Sequence, residues 1–132
     1  MIDHVGLSVA SLPDAARFYA DGFGFEREFT FDLPHGIHGL MLLHPGGSRL
    51  ELFERPGSQP GLQGSVPLDA LATRGYGHFA WATNDIEAAF EKALLAGATS
   101  IVEAGPSPEP GVVFAFLADP EGNLIELLQR SA

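Results

Sequence analysis

Two histidines and two glutamates, residue types that bind divalent cations, occur in this chain as two evenly spaced pairs. His4 is followed by Glu51 and His78 by Glu126, so that the histidines lie 74 residues apart and the glutamates 75. Each lies in a short apolar run typical of a β-strand, where an unpaired charge is costly to bury. Brought together, two imidazoles and two carboxylates would form a site for a divalent metal ion.

The segments around the two pairs repeat one another. Residues His4–Leu12 match His78–Ile86, and Met41–Phe53 match Phe116–Leu128, where a Pro, a Gly and the Glu coincide. Two matches in the same order predict a duplicated unit. The repetition argues against four accidental positions, although a structural duplication that has lost its metal stays an alternative.

Each unit is predicted to run strand, helix and then three strands. Ser11 and Gly22 mark the ends of the first helix, and Asp85 and Gly97 those of the second. We therefore predict an α+β chain of two tandem βαβββ modules, residues 1–55 and 76–132, joined by a linker over residues 56–75. The predicted strands are Ile2–Val9, Phe25–Asp32, Gly39–Leu43 and Arg49–Glu54 in the first module, and Tyr76–Thr83, Ser100–Glu103, Val112–Ala118 and Asn123–Gln129 in the second.

Strand alternation places small residues on the same face as each paired histidine. A Gly and a Ser follow His4 by two and four residues, and two Ala follow His78 at the same spacing. This pattern predicts a space beside each imidazole. The structural alternatives are a hydrogen-bonded core histidine and, for Glu51, a salt bridge with Arg49 on its own face. The remaining histidines, His35, His38 and His44, are predicted to be solvated loop or turn residues.

Composition narrows the classes of partner and compartment. The chain has 17 acidic and 7 basic residues and a net charge of −10, so we expect neither nucleic acid nor an anionic membrane as a partner. It contains no Cys, which leaves only nitrogen and oxygen ligands for a metal and fits a cytoplasmic protein. No apolar run approaches the ~20 residues of a membrane-spanning helix, and no signal peptide is expected.

These residues resemble the vicinal oxygen chelate superfamily, which includes glyoxalase I, methylmalonyl-CoA epimerase, extradiol dioxygenases and bleomycin resistance proteins. The resemblance rests on the paired modules, on His4 and Glu51, and on the segments Gly77-His-Phe-Ala-Trp and Asp119-Pro-Glu-Gly-Asn-Leu-Ile-Glu-Leu. It implies a curved, half-open mixed sheet around one divalent ion (Ni, Co, Zn, Mn or Fe(II)) per site. His4, Glu51, His78 and Glu126 match the four ligand positions. It also implies a homodimer that acts on a small molecule.

A His, Glu, His, Glu ligand set looks most like bacterial glyoxalase I. Glu51 is the discriminating residue, because the dioxygenases generally lack a carboxylate there and the epimerase has an amide. The resemblance implies a lyase or isomerase that acts through a metal-bound enediolate, with Glu126 as general base and acid and Glu51 on the opposite face. The alternatives are an extradiol dioxygenase-like or epimerase-like metalloenzyme, and a non-enzymatic protein that binds a drug or metabolite.

The candidate substrate contacts are Ser8, Phe53 and Arg55. Glyoxalase I typically has an Arg four residues after its first ligand and an Asn four after its second, and both hold glutathione. Ser8 and Arg55 occupy those places here. The sequence therefore predicts that glutathione is not held in the usual way, and a different thiol adduct or a substrate without a thiol stays open.

Overall fold

The computed structural model of the chain describes residues 1–61 and 66–131. They divide into two compact units, Met1–Pro60 and Gly61–Ala132. Each unit contains a four-stranded mixed sheet and a helix in the order βαβββ, which confirms the predicted α+β class and its duplication. Residues 62–65 of the predicted linker lie outside the described residues. No helix in the described ranges is long and apolar enough to cross a lipid bilayer.

In the first unit the sheet has the order β1-β4-β3-β2, with β1 parallel to β4 and the other neighbours antiparallel. The crossover from β1 therefore brings the first strand of the unit beside its last. The elements are β1 (Val5–Ser8), α1 (Leu12–Phe23), β2 (Glu26–Leu33), a 3-10 turn (Pro34–Gly36), β3 (Ile37–Leu43) and β4 (Arg49–Glu54).

The second unit repeats this topology with the order β5-β8-β7-β6, and β5 is parallel to β8. A short helix lies within the segment predicted as a linker. The elements are α2 (Pro67–Ala70), β5 (His78–Ala82), α3 (Ile86–Ala96), β6 (Thr99–Pro106), β7 (Val112–Ala118) and β8 (Leu124–Arg130).

Alternation along the central strands of each sheet supplies the core. In β4, Leu50 and Leu52 are 3% and 0% exposed, whereas Glu51 between them lies on the other face. In β8, Ile125 and Leu127 are fully buried around Glu126 in the same way. Burying a Leu or Ile side chain contributes ~1.5–3 kcal/mol, so these neighbours fix the register that turns each Glu away from the core.

The two long helices, α1 and α3, begin at the predicted caps, but α1 ends later than predicted. The Oγ of Ser11 accepts a hydrogen bond from the amide of Asp14 at 3.3 Å, and Asp85 accepts one from the amide of Ala88 at 3.1 Å. Gly97 ends α3 in the left-handed region, as predicted. For α1 the expectation of Gly22 was wrong, because Gly24 takes the left-handed conformation (φ 79°) and its amide donates back to Ala20.

Several strand boundaries differ from the predictions, and two of these differences move a histidine. β1 begins at Val5, since its ladder with β4 starts at Val5–Leu50 and the residues preceding β4 form the turn around Gly47. His4 therefore lies immediately before the strand. His38 was expected in a loop but belongs to β3, where it is the Cα partner of Asp32.

Candidate functional site

The first predicted pair is in contact. The Nε2 of His4 lies 3.3 Å from the Oε1 of Glu51, and the two side chains are 34% and 21% exposed. The parallel pairing of β1 with β4 produces this contact, because it sets Gly6 opposite Glu51 just after His4. Both donor atoms therefore lie on one face of the sheet at its edge.

A neighbouring carboxylate orients His4 from its other nitrogen. The Nδ1 of His4 lies 2.7 Å from the Oδ2 of Asp3. This hydrogen bond raises the pKa of His4, with a smaller contribution from the charge of Glu51, and it lowers the pKa of Asp3. When Nδ1 holds the proton, the lone pair of Nε2 points toward Glu51, which is the arrangement that a metal-binding imidazole needs.

Arg49 does not neutralise Glu51, although both lie on the same strand face. Its guanidinium forms a bidentate pair with Glu28, with Nε–Oε2 and Nη2–Oε1 distances of 2.8 and 2.9 Å. The hydrogen bond to Arg49 lowers the pKa of the Glu28 carboxyl. The alternative of an Arg49–Glu51 salt bridge is therefore not what the structure shows, and the partner of Glu51 is His4.

The second predicted pair repeats the geometry of the first. The Nε2 of His78 lies 3.3 Å from the Oε2 of Glu126, with the side chains 36% and 17% exposed. His78 begins β5, and Ala80 two residues later is the Cα partner of Glu126. The ring of Phe116 meets the imidazole edge-on, with the ring centroids 4.9 Å apart. Arg130, the nearest basic residue along β8, pairs with Glu109.

The donor atoms fit a divalent metal ion. Each unit presents one imidazole Nε2 and one carboxylate oxygen side by side, and these are the ligand types that Zn, Ni, Co, Mn and Fe(II) accept. Within each unit, no set of three or more His, Cys, Asp or Glu side chains among the described residues gathers at one point. Each unit by itself therefore brings together two of the four predicted ligands.

Two of the three predicted substrate contacts, Ser8 and Phe53, lie on the same face of the first sheet as Glu51. Ser8 is exposed and is the Cα partner of Phe53, whose ring lies 3.9 Å from where a Cβ of Gly6 would be. The space predicted beside His4 is thus bordered by an aromatic ring. Arg55 is exposed just beyond the end of β4.

Sequence reasoning missed two features that the structure shows. Phe29 and Phe31 extend the aromatic surface from Phe53 toward the edge of the sheet, and their spacing of two residues was the available signal. The other is a second cap on each helix. Glu54 accepts a hydrogen bond from the amide of Leu12 at 2.7 Å, and Gln129 accepts one from Ile86 at 2.8 Å, at repeat-related positions.

Comparisons with known proteins agree with this architecture. A "Putative lactoylglutathione lyase" of Brassica oleracea is 41% identical over 96% of this chain, which spans only 43% of that protein's length. A "Probable lactoylglutathione lyase" of Synechocystis is 29% identical, and the alignment covers 98% of this chain and 95% of the relative. A glyoxalase family protein from Bacillus cereus shares the fold, with a TM-score of 0.78 at 22% identity over 99% and 94% of the two chains.

The family model that matches is described as the glyoxalase/bleomycin resistance protein/dioxygenase superfamily, and the match extends over residues 1–127. It therefore includes both His–Glu pairs and the strands that hold them. This chain belongs to that superfamily.

Proposed function

We propose that this protein is a divalent-metal-dependent lyase or isomerase of the glyoxalase I type, acting on a small substrate with two adjacent oxygens. The observation that supports the proposal is the repeated His–Glu contact, with 3.3 Å between donor atoms in both units. The relatives named as lactoylglutathione lyases point to the same reaction class.

The ligands would be the Nε2 atoms of His4 and His78 and the carboxylates of Glu51 and Glu126. Two neutral imidazoles and two carboxylates would balance the charge of a divalent ion that also accepts the two substrate oxygens. When bound, such an ion acts as a Lewis acid on oxygen and lowers the barrier to removing a neighbouring C–H proton by several kcal/mol.

The proton transfer is assigned to this chain's own carboxylates. We assign to Glu126 the removal of the proton from one carbon of the substrate and its return to the adjacent carbon, so that no atom is gained or lost. Its partial burial, at 17% exposure opposite Phe116, would limit exchange of the proton with bulk water during the transfer. We assign to Glu51 the corresponding role on the opposite face of the substrate.

A homodimer is part of the proposal. Each unit supplies two ligands, so a complete set needs two units, and two chains would then hold two sites. Size-exclusion chromatography with light scattering should give twice the 14.0 kDa mass of the chain. A monomeric mass for the metal-loaded protein would contradict this part of the proposal.

The decisive test is elemental analysis of three untagged proteins: wild type, the Glu126→Gln variant and a control variant. The control is Glu91→Gln, which changes an exposed residue of α3. Wild type and control should bind one divalent ion per chain, and Glu126→Gln should bind it more weakly. Absence of any divalent metal at micromolar protein would end the enzymatic proposal and favour a metal-free binding protein. Iron with oxygen uptake would favour a dioxygenase-like reaction instead.

A further inference from the structure

Three phenylalanines form a continuous row across the first sheet, on the face that holds Glu51. The ring of Phe31 meets Phe53 edge-on, with centroids 5.9 Å apart, and Phe29 follows at 6.1 Å. We call Phe29, Phe31 and Phe53 the aromatic row. Phe29 is 51% exposed, so the row runs from the candidate site to an open apolar end.

The row is continuous with the first His–Glu pair. Phe53 lies two residues after Glu51 on β4, and its ring borders Gly6, which lies two residues after His4. Gly39 allows the row to form, because a Cβ at that position would overlap the ring of Phe31. A group attached to a substrate held at His4 and Glu51 would therefore meet aromatic carbon.

Positive charge is scarce on this face. Arg49 is held by its bidentate pair with Glu28, and Arg17 pairs with a carboxylate on its own helix at 3.6 Å. Arg27 lines a groove with residues of α1, on the opposite side of the sheet. Arg55, beyond the end of β4, is the remaining arginine of residues 1–60. Within the first unit, a ligand with two or more carboxylates on this face would therefore meet Arg55 as the one arginine that is neither paired with a carboxylate nor on the other side of the sheet.

We infer that the substrate is an aryl-substituted compound with two adjacent oxygens, such as an aryl α-hydroxyketone or the hydrate of an aryl α-ketoaldehyde, and not a peptide conjugate with several carboxylates. The inference rests on the proposed function, because the two oxygens are assigned to the metal site. The aryl group would then pack against the aromatic row, where edge-to-face contacts between rings are favourable.

Two hydroxamates test this inference, since both present two adjacent oxygens and differ only in the attached group. Benzohydroxamate and acetohydroxamate would be titrated into the zinc-loaded protein by calorimetry, with their affinities for free zinc measured separately. We expect benzohydroxamate to bind about tenfold more tightly, from burial of the phenyl surface. Added glutathione should leave both affinities unchanged.

Variants distinguish the contribution of the aromatic row from a general effect of removing an exposed apolar side chain. Phe31→Ala and the more exposed Phe29→Ala should each reduce the preference for the phenyl group to less than about threefold, while acetohydroxamate binding stays as in wild type. Leu95→Ala, which removes an 83% exposed side chain from α3, is the matched control and should change neither affinity. Circular dichroism would establish that each variant is folded.

The outcomes distinguish the two proposals. Equal affinities for the two hydroxamates in wild type, or competition by glutathione, would overturn the aryl inference and leave the metal site standing. Failure of the protein to bind zinc at all would overturn the proposed function, and the aryl inference with it.

Discussion

The two His–Glu pairs share a geometry but differ in what lies behind each histidine. Asp3 contacts the Nδ1 of His4 at 2.7 Å, whereas Gly77 occupies the corresponding place before His78. His78 instead packs against the ring of Phe116. A carboxylate behind an imidazole fixes its tautomer and strengthens its donor nitrogen, so His4 is the better positioned of the two candidate ligands.

Replacing Asp3 should therefore weaken metal binding. We expect Asp3→Asn to raise the dissociation constant for zinc about 10- to 100-fold, the usual effect of losing such a supporting group. Nitrogen NMR of the metal-free Asp3→Asn variant should show the neutral His4 ring as a mixture of its two tautomers. Asp21→Asn, an equal charge change on the exposed side of α1, is the control. Unchanged affinity and tautomer in Asp3→Asn would show that Asp3 is not a positioning residue.

Glu28 pairs with Arg49 and so holds it away from Glu51, the candidate metal ligand on the same face of β4. We expect Glu28→Gln to free the guanidinium to interact with Glu51 and to weaken metal binding about two- to fivefold, the range for one exposed ion pair. Glu26→Gln on the same strand is the control. Since the pKa of Glu28 is lowered, the pair should persist at neutral pH and break as the pH falls through that lowered value. Equal metal affinity in both variants would contradict this role.

At the scale of the element, each module's last strand also stabilises the start of its own helix. Glu54 accepts from the amide of Leu12, on the side of β4 opposite to Glu51, and Gln129 does the same for Ile86. One strand thus supplies a candidate ligand and a helix cap. The repeat shows that an amide oxygen can accept this hydrogen bond in place of a carboxylate.

The correspondence between the Glu54 and Gln129 hydrogen bonds gives a prediction for the stability of the first module. Glu54→Ala should lower the free energy of unfolding by about 1 kcal/mol, since a first-turn amide loses its acceptor. Glu54→Gln should lose much less, because Gln129 provides the same contact in the second module. Urea unfolding followed by circular dichroism would measure both. A glutamine variant as unstable as the alanine variant would mean that the charge of Glu54, and not the hydrogen bond, supports the helix.

Element by element, the sequence predicted what depends on local pattern. The caps at Ser11 and Asp85 and the alternation around Glu51 and Glu126 follow from neighbours in the chain. The pairing of Arg49 with Glu28 does not follow from the local pattern. The β2–β3 register shifts between Arg27 and Phe29, and this shift places Glu28 outside the regular alternation of β2. The aromatic row also depends on register, since Phe31 packs over Gly39 only when those two residues are Cα partners.

At the scale of the whole molecule, the duplication predicts the metal stoichiometry but not which units pair. Each unit carries one candidate imidazole and one candidate carboxylate, so the proposed four-ligand sites would hold one metal ion per chain however the units combine. The local sequence pattern around His4 and His78 is the same whether the two units of a site come from one chain or from two. Strand periodicity and ligand spacing therefore do not distinguish these assemblies, whereas a mixing experiment does.

Two variants, His4→Ala and His78→Ala, each remove one ligand and should each bind zinc much more weakly than wild type. If each site of the proposed homodimer takes one unit from each chain, a mixed dimer would contain one site with both losses and one intact site. Mixing the variants under conditions that allow subunit exchange should therefore restore tight zinc binding to one site in each mixed dimer. A mixture of His4→Ala with His44→Ala is the control for the exchange procedure. If mixed dimers form and tight binding does not return, the two pairs of each site belong to the same chain.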